Sequence, residues 1–339
     1  MSVSVVIRTK DEASRLRLVL ASLSQQSHSA EIVVVDDGSS DHTQDVLTEA
    51  KRDQNLVLLR HEVPRGRSAA SNAGARAASG AMLIFIDGDT LAHPDFISCH
   101  VRAHADHAGL IARGETLHLR CTRMLLDPDT GTAMPSEANR VAALSPRDLD
   151  RLRVTRDQVL FDFPAIERRA ESGLYPGAGP RLLQEIELKA LREHSSCSVL
   201  WAAASGSNQS VARDAFLALG GFHEAIDINE HRELALRLQR SGHRMVFAEG
   251  ARSYHLIHRS GWRDPLQDTA WEDAFHAAHP LPEVELLPVF WASLSPRVPF
   301  AQEDRIMSLP ELEAAATSGT AAWRGALRAV LGLPARGGR

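Results

Sequence analysis

The chain has 339 residues, 44% hydrophobic and 24% charged, which suits a sizeable packed core and excludes a wholly disordered chain. Its 38 Lys and Arg against 43 Asp and Glu leave a formal net charge of −5, so non-specific binding to nucleic acid is not expected. The longest apolar runs, AMLIFI at 81–86 and VLWAAA at 199–204, fall far short of the roughly 20 residues that cross a bilayer. Lys10, Asp11 and Glu12 stand where a secretion signal would need its apolar centre, and the expectation is a cytoplasmic protein. Cys99, Cys121 and Cys197 lack C-x-x-C spacing and read as buried or incidental thiols.

In chain order, VSVVI at 3–7 reads as a strand, and Leu16, Val19, Leu20 and Leu23 then fall at helical spacing within 12–26. EIVVV at 31–35 stops at the turn-rich DDGSSD; Val46, Leu47 and Ala50 suggest a second helix and LVLL at 56–59 a third strand. Small residues over 67–79 are compatible with a helix, and AMLIFI is apolar on both faces, as a covered central strand should be. Alternating elements of this kind imply an α/β fold with a doubly wound, mostly parallel sheet flanked by helices over the first 110 residues or so.

From 113 to 197 prolines punctuate mixed segments, and one helix is expected over 180–194. Regular patterning returns at 199–221, a helix then ends at Gly242, which suits a C-cap, and a strand follows at 243–248. This divides the chain into an α/β half (1–112), an irregular insertion or lid (113–198), a second half with a helix at 230 (199–262) and a C-terminal extension (263–339). Residues 321–331 can form a basic amphipathic helix, and Arg324, Arg328, Arg336 and Arg339 with no acid nearby could touch an anionic membrane surface or a partner, although a frayed soluble tail is the first expectation.

Ligands of open α/β sheets bind at the carboxyl ends of the strands. After the first strand comes Arg8-Thr9-Lys10-Asp11-Glu12, without the G-x-G-x-x-G turn of a dinucleotide site. The second strand ends in Asp36-Asp37-Gly38-Ser39, whose carboxylates could accept from a base N–H or ribose hydroxyls, or could equally form a structural turn. The fourth runs into Asp87-Gly88-Asp89, two hard oxygen ligands able to hold Mg²⁺ or Mn²⁺ beside a diphosphate, with Arg65, Gly66, Arg67 and Asn72 upstream.

Together these stretches resemble the family-2 glycosyltransferases of GT-A fold. SVVIRTKDEASRLRLVLASLSQQ resembles the family's opening strand and helix, EIVVVDDGSSDHT its nucleoside-binding strand, RGRSAASNAGARAASGAMLIFIDGDT the lead into its metal-binding D-x-D, and SGSNQSVARDAFLALGGFHEAI its acceptor-side stretch. The resemblance covers about 1–98 and 199–259. It implies a transferase that moves a sugar with inversion from a nucleotide diphosphate donor, a UDP-sugar by expectation, to a hydroxyl acceptor: a saccharide, a lipid-linked acceptor or a natural product.

It also implies roles residue by residue. Thr9 and Asp37 would contact the nucleoside, Arg65 or Arg67 would approach the donor, Asp87 would meet ribose, and Asp89 would bind the divalent cation. A histidine after the last core strand completes the metal site, with His255 the first candidate and His258 the second. At the catalytic helix the sequence departs from the family: where relatives carry Glu-Asp, it has Glu230-His231, followed by Arg232-Glu233-Leu234. His231, whose unperturbed pKa is about 6.5, or Glu230 could take the acceptor's proton, and a slip of register would bring in Asp227 or Asn229.

The missing Asp at 231 motivates a second reading, a nucleotide-sugar-binding protein without transfer activity. A nucleotidyltransferase is a third, although the loop after the first strand is poor in glycine. Trp201, Trp262 and Trp271 are candidates for stacking on a sugar or lining the acceptor cleft, or else for the core.

Overall fold

The computed structural model describes residues 1–105, 109–172, 182–258, 266, 268–295, 298–301 and 305–318. The β-branched N-terminal run forms β1 (Val3–Thr9), and helix α1 (Ala13–Ser24) buries Leu16, Val19, Leu20 and Leu23, the set at helical spacing. Strand β2 (Glu31–Asp36), α2 (Thr43–Asp53), β3 (Leu56–Arg60), α3 (Arg67–Ala77) and β4 (Met82–Asp87) repeat the alternation. Next come β5 (Thr90–Ala92), α4 (Phe96–Ala103), β6 (Leu110–Leu119), a small hairpin of β7 (Leu125–Asp127) and β8 (Thr132–Ala133), then β9 (Gln209–Ala212) and β10 (Arg244–Leu256).

Among the described residues the main sheet has the order β3-β2-β1-β4-β9-β6-β10-β5. The first four strands are parallel, as expected. Strand β9 runs antiparallel to both β4 and β6, and β5 antiparallel to β10, while β6 and β10 are parallel. Both faces of the sheet are covered, which explains why β1, β2 and β4 are near-continuous in apolar residues. Val6, Val33, Leu83 and Phe85 point into one core, and Val5, Ile7, Val34, Ile84 and Ile86 into the other.

Three expectations change on inspection. The boundary drawn at 112/113 falls inside β6, a ten-residue strand of the main sheet. Arg113, Glu115 and His118 interrupt its apolar pattern, yet Arg113 is buried because Glu187 neutralises it. The last strand runs to Leu256 rather than 248, with a register shift between Phe247 and Arg252 where Gly250 takes φ 81°.

The C-terminal extension is also no appendage. Helices Ala270–Ala278, Leu287–Ser293 and Leu309–Ser318 place Trp271, Phe275, Phe290, Trp291 and Leu312 in the same core as Trp201. The helix expected over 180–194 spans Leu183–Glu193. The basic stretch 321–331 and Trp262 lie outside the described residues.

Candidate active site

The parallel register sets Arg8 at the end of β1 opposite Asp87 at the end of β4. Its Nε donates to Asp87 Oδ1 at 2.7 Å and its Nη1 to Glu230 Oε1 at 2.7 Å. Glu230 opens the helix Glu230–Arg240 and is 2% exposed. Burial would raise its pKa, but Arg8 and His231 outweigh it and hold the carboxyl well below the usual range. Burial likewise opposes the charge on Arg8, and Asp87 and Glu230 together outweigh that and favour the cation. Arg8 thus ties the D-x-D strand to the candidate catalytic helix.

Asp89 lies in the turn between β4 and β5, and β10 pairs with β5 so that His255 stands opposite Thr90. His255 Nε2 is 3.2 Å and His258 Nε2 3.0 Å from Asp89 Oδ2. One ligand atom from each of these residues lies within 4.8 Å of the others. Glu12 Oε1 is 3.4 Å from His258 Nε2; burial, then Asp89, push its pKa up. Burial opposes ionisation of Asp89, but the two histidines hold its carboxyl well below the usual range. One carboxylate oxygen and two imidazole nitrogens form a donor set that fits a divalent cation of borderline character. His118 meets His255 edge-on at 5.6 Å, and burial lowers its own pKa to about 3.

Asp37 and Thr9 are neighbours, since the Asp37 N–H donates to the Thr9 carbonyl at 2.9 Å. The Asp37 carboxylate accepts from the backbone N–H of Arg65 and of Gly66, each at 2.8 Å, and from His61 Nδ1 at 2.6 Å. It therefore secures the loop that leads into α3. Thr9 is 5% exposed, and its Oγ1 has no hydrogen-bond partner among the described residues. The Arg65 side chain is exposed and lies 3.8 Å from Glu224. Arg67 begins α3 and adds its charge to those that lower Glu230.

His231 follows Glu230 and is gripped from behind. Arg232 Nη1 lies 2.9 Å from His231 Nε2, while His231 Nδ1 faces Glu230 Oε2 at 3.7 Å and has no hydrogen-bond partner among the described residues. Burial lowers the His231 pKa. Asn229 does not face an open pocket, because its Oδ1 accepts from Arg232 at 2.8 Å, and Asp227 is exposed.

The structure therefore brings Asp87, Asp89, Glu230, His231 and both candidate histidines to the carboxyl end of the sheet, with Thr9 ending β1 and Asp37 just past the end of β2. Trp201 and Trp271 are 1% and 2% exposed and pack against Phe275. They are core residues with no ring face open to a sugar. Arg8, Glu12 and Arg232 were not singled out by sequence. Arg8 carried a usable signal, since parallel pairing of β1 with β4 sets it beside Asp87; Glu12 and Arg232 reach their partners only through tertiary packing.

Residues 4–114 match the model of glycosyl transferase family 2. The chain is 35% identical over 116 residues to the uncharacterized glycosyltransferase YfnE of Bacillus subtilis, covering 34% of this chain and 30% of that one. It is 36% identical over 109 residues to a validoxylamine A glucosyltransferase of Streptomyces hygroscopicus subsp. jinggangensis, covering 31% of this chain and 26% of that one. The match thus spans about a third or less of each relative's length. Among solved structures, S. aureus TarS is similar with a TM-score of 0.52 at 14% identity, over 90% of this chain and 45% of that one. GalNAc-T7 with UDP, GalNAc and Mn²⁺ gives 0.50 at 19% identity, over 85% and 52%. At these identities the likeness concerns the fold.

Proposed function

From the premise that residues 4–114 belong to glycosyl transferase family 2 on a GT-A-type fold, we propose that the protein transfers a glycosyl group from a nucleotide diphosphate sugar to a hydroxyl acceptor with a divalent cation. The observation that carries this reading is the presence of two groups at the carboxyl end of one sheet: Asp89 with His255 and His258, and Arg8 bridging Asp87 to Glu230. TarS was solved with UDP-GlcNAc and GalNAc-T7 with UDP and Mn²⁺, which supports a UDP-sugar and Mn²⁺ as first choices.

In this reading Asp89, His255 and His258 would hold the cation. When bound, it would neutralise charge on the departing diphosphate. Asp87 faces the ribose, Thr9 and the loop held by Asp37 receive the base, and Arg65 and Arg67 approach the phosphates. The acceptor oxygen bonds to the anomeric carbon from the face opposite the diphosphate, and the bond to the diphosphate oxygen breaks with its electron pair. The configuration inverts. The acceptor's proton passes to Glu230 or His231 at the start of their helix. Catalysis then consists of positioning and electrostatic stabilisation, without a covalent intermediate.

A thermal-shift panel of UDP- and GDP-sugars with and without Mn²⁺ tests this, because a ligand that binds the folded state raises the midpoint by mass action. The expected result is a rise for a UDP-sugar that needs Mn²⁺. No rise with any nucleotide sugar would overturn the reading. A rise without nucleotide release in the presence of saccharide, lipid-linked and small-molecule acceptors would favour the binding-only alternative that the missing Asp at 231 suggests.

A further inference from the structure

The contacts of His231 are asymmetric. Arg232 uses its whole guanidinium fork: Nε donates to the Ala202 carbonyl at 2.7 Å, Nη2 to Glu187 Oε1 at 2.8 Å, and Nη1 to Asn229 Oδ1 at 2.8 Å and toward His231 Nε2 at 2.9 Å. A guanidinium has donors only. His231 Nε2 must therefore supply the lone pair of that contact, and a neutral ring then carries its proton on Nδ1, toward Glu230 Oε2. Glu187 is fully buried and also holds Arg113, so Arg232 is fixed on a buried Arg–Glu–Arg arrangement, with its guanidinium 5.1 Å over Trp291.

We propose that Arg232, anchored by Glu187, is a positioning residue that fixes His231 as the Nδ1–H tautomer, which leaves Glu230 rather than His231 to accept the proton. A base needs a lone pair on the atom that faces the reacting hydroxyl. His231 presents a proton there, because its lone pair is turned inward and capped. The second carboxylate oxygen of Glu230 lies 3.7 Å from that nitrogen, so the imidazole turns a proton, and no competing lone pair, toward the carboxylate. Burial disfavours imidazolium, Glu230 favours it, and Arg232 and Arg8 side with burial, so the neutral ring prevails. The inference rests on the glycosyl-transfer reading only for what the proton comes from.

The test is a two-bond ¹H–¹⁵N correlation spectrum of the full chain with ¹⁵N-labelled histidine at pH 7.5, with the His231 signals identified by their loss in His231→Gln. The expected result is a neutral ring protonated at Nδ1. A ring protonated at Nε2, or at both nitrogens, would overturn the proposal. In Arg232→Gln the Nε2–H fraction should rise from undetectable to a sizeable share. If that variant fails to fold, Arg232→Met, which removes every donor to Nε2, is read in the same way. An unchanged tautomer in a folded variant with a lower melting point would show a merely structural Arg232 and sink the positioning role. None of these readouts needs a sugar donor, so failure of the nucleotide-sugar panel and failure of this proposal are distinguishable.

Discussion

At the scale of single residues, charge and burial pull Glu230 in opposite directions, and Arg8 decides the outcome. A carboxylate held well below its usual pKa stays ionised throughout the neutral range, so any acid limb in turnover due to Glu230 should lie below the ordinary carboxylate range and not near 6.5. Its contribution to stability is present above the unfolded-state pKa and is lost as pH falls toward the depressed folded-state value. Glu230→Gln should lower nucleotide release by about 10²–10⁴-fold, the usual reach of a general base, while the thermal shift with the donor persists. Equal turnover in the variant would remove Glu230 from the mechanism.

At His100 burial decides instead, and the dependence of stability on pH has the same sign. The His100 Nε2 donates to Asn208 Oδ1 at 2.9 Å and its Nδ1 meets Ser210 Oγ at 2.8 Å; burial lowers its pKa from 6.5 to about 3. Between those values the unfolded chain binds a proton that the folded one does not, so stability rises with pH by about 1.4 kcal/mol per unit from this group. His100→Gln, which can keep both hydrogen bonds, should flatten that rise between pH 5 and 6.5 in urea denaturation.

At the scale of elements, the site is where loops leave β1, β4 and β10, and each contributes a charged group. Manganese binding, followed by the EPR signal of the free ion, should be abolished in Asp89→Asn. Glu12→Gln, which removes a carboxylate charge beside His258 Nε2, should weaken it without abolishing it. Strands β6 and β10 also pass one another closely. A Cβ on Gly114 would stand 2.1 Å from the Ala251 carbonyl and 2.3 Å from Asn208 Oδ1, so Gly114→Ala should cost about 1–3 kcal/mol of stability in chemical denaturation.

The strand-and-helix alternation of 3–87 was legible because both sheet faces are covered and the apolar runs are nearly unbroken. Asp87 and Asp89 were legible because they immediately follow such a run, whereas His255 and His258 were reached only through the family resemblance, since the strand that leads to them was read as ending at 248. Strand β6 was not, since Arg113 breaks its pattern and is tolerated only through Glu187, 74 residues away in sequence. The Arg232 contact to His231 was equally hidden, because adjacent residues on a helix ordinarily point apart.

At the scale of the whole molecule, the core joins parts that the sequence reading had kept separate. Arg113 of β6, Glu187 of the Leu183–Glu193 helix and Arg232 of the candidate catalytic helix form one buried cluster, and it rests on Trp291 from the far C-terminal part. Trp271, Phe275, Phe290 and Trp291 are each 2% exposed or less. At about 1.5–3 kcal/mol for each buried large apolar side chain, losing these four would strip a substantial part of the burial that offsets chain entropy in this core. Removal of residues 263–339 should therefore abolish the cooperative fold as well as any activity, because it also uncovers Trp201 and the guanidinium of Arg232. Circular dichroism on heating the truncated chain checks this: the expected trace has no cooperative transition. A melting point within a few degrees of the full chain would show that the α/β half carries its own core and that the C-terminal helices only decorate it.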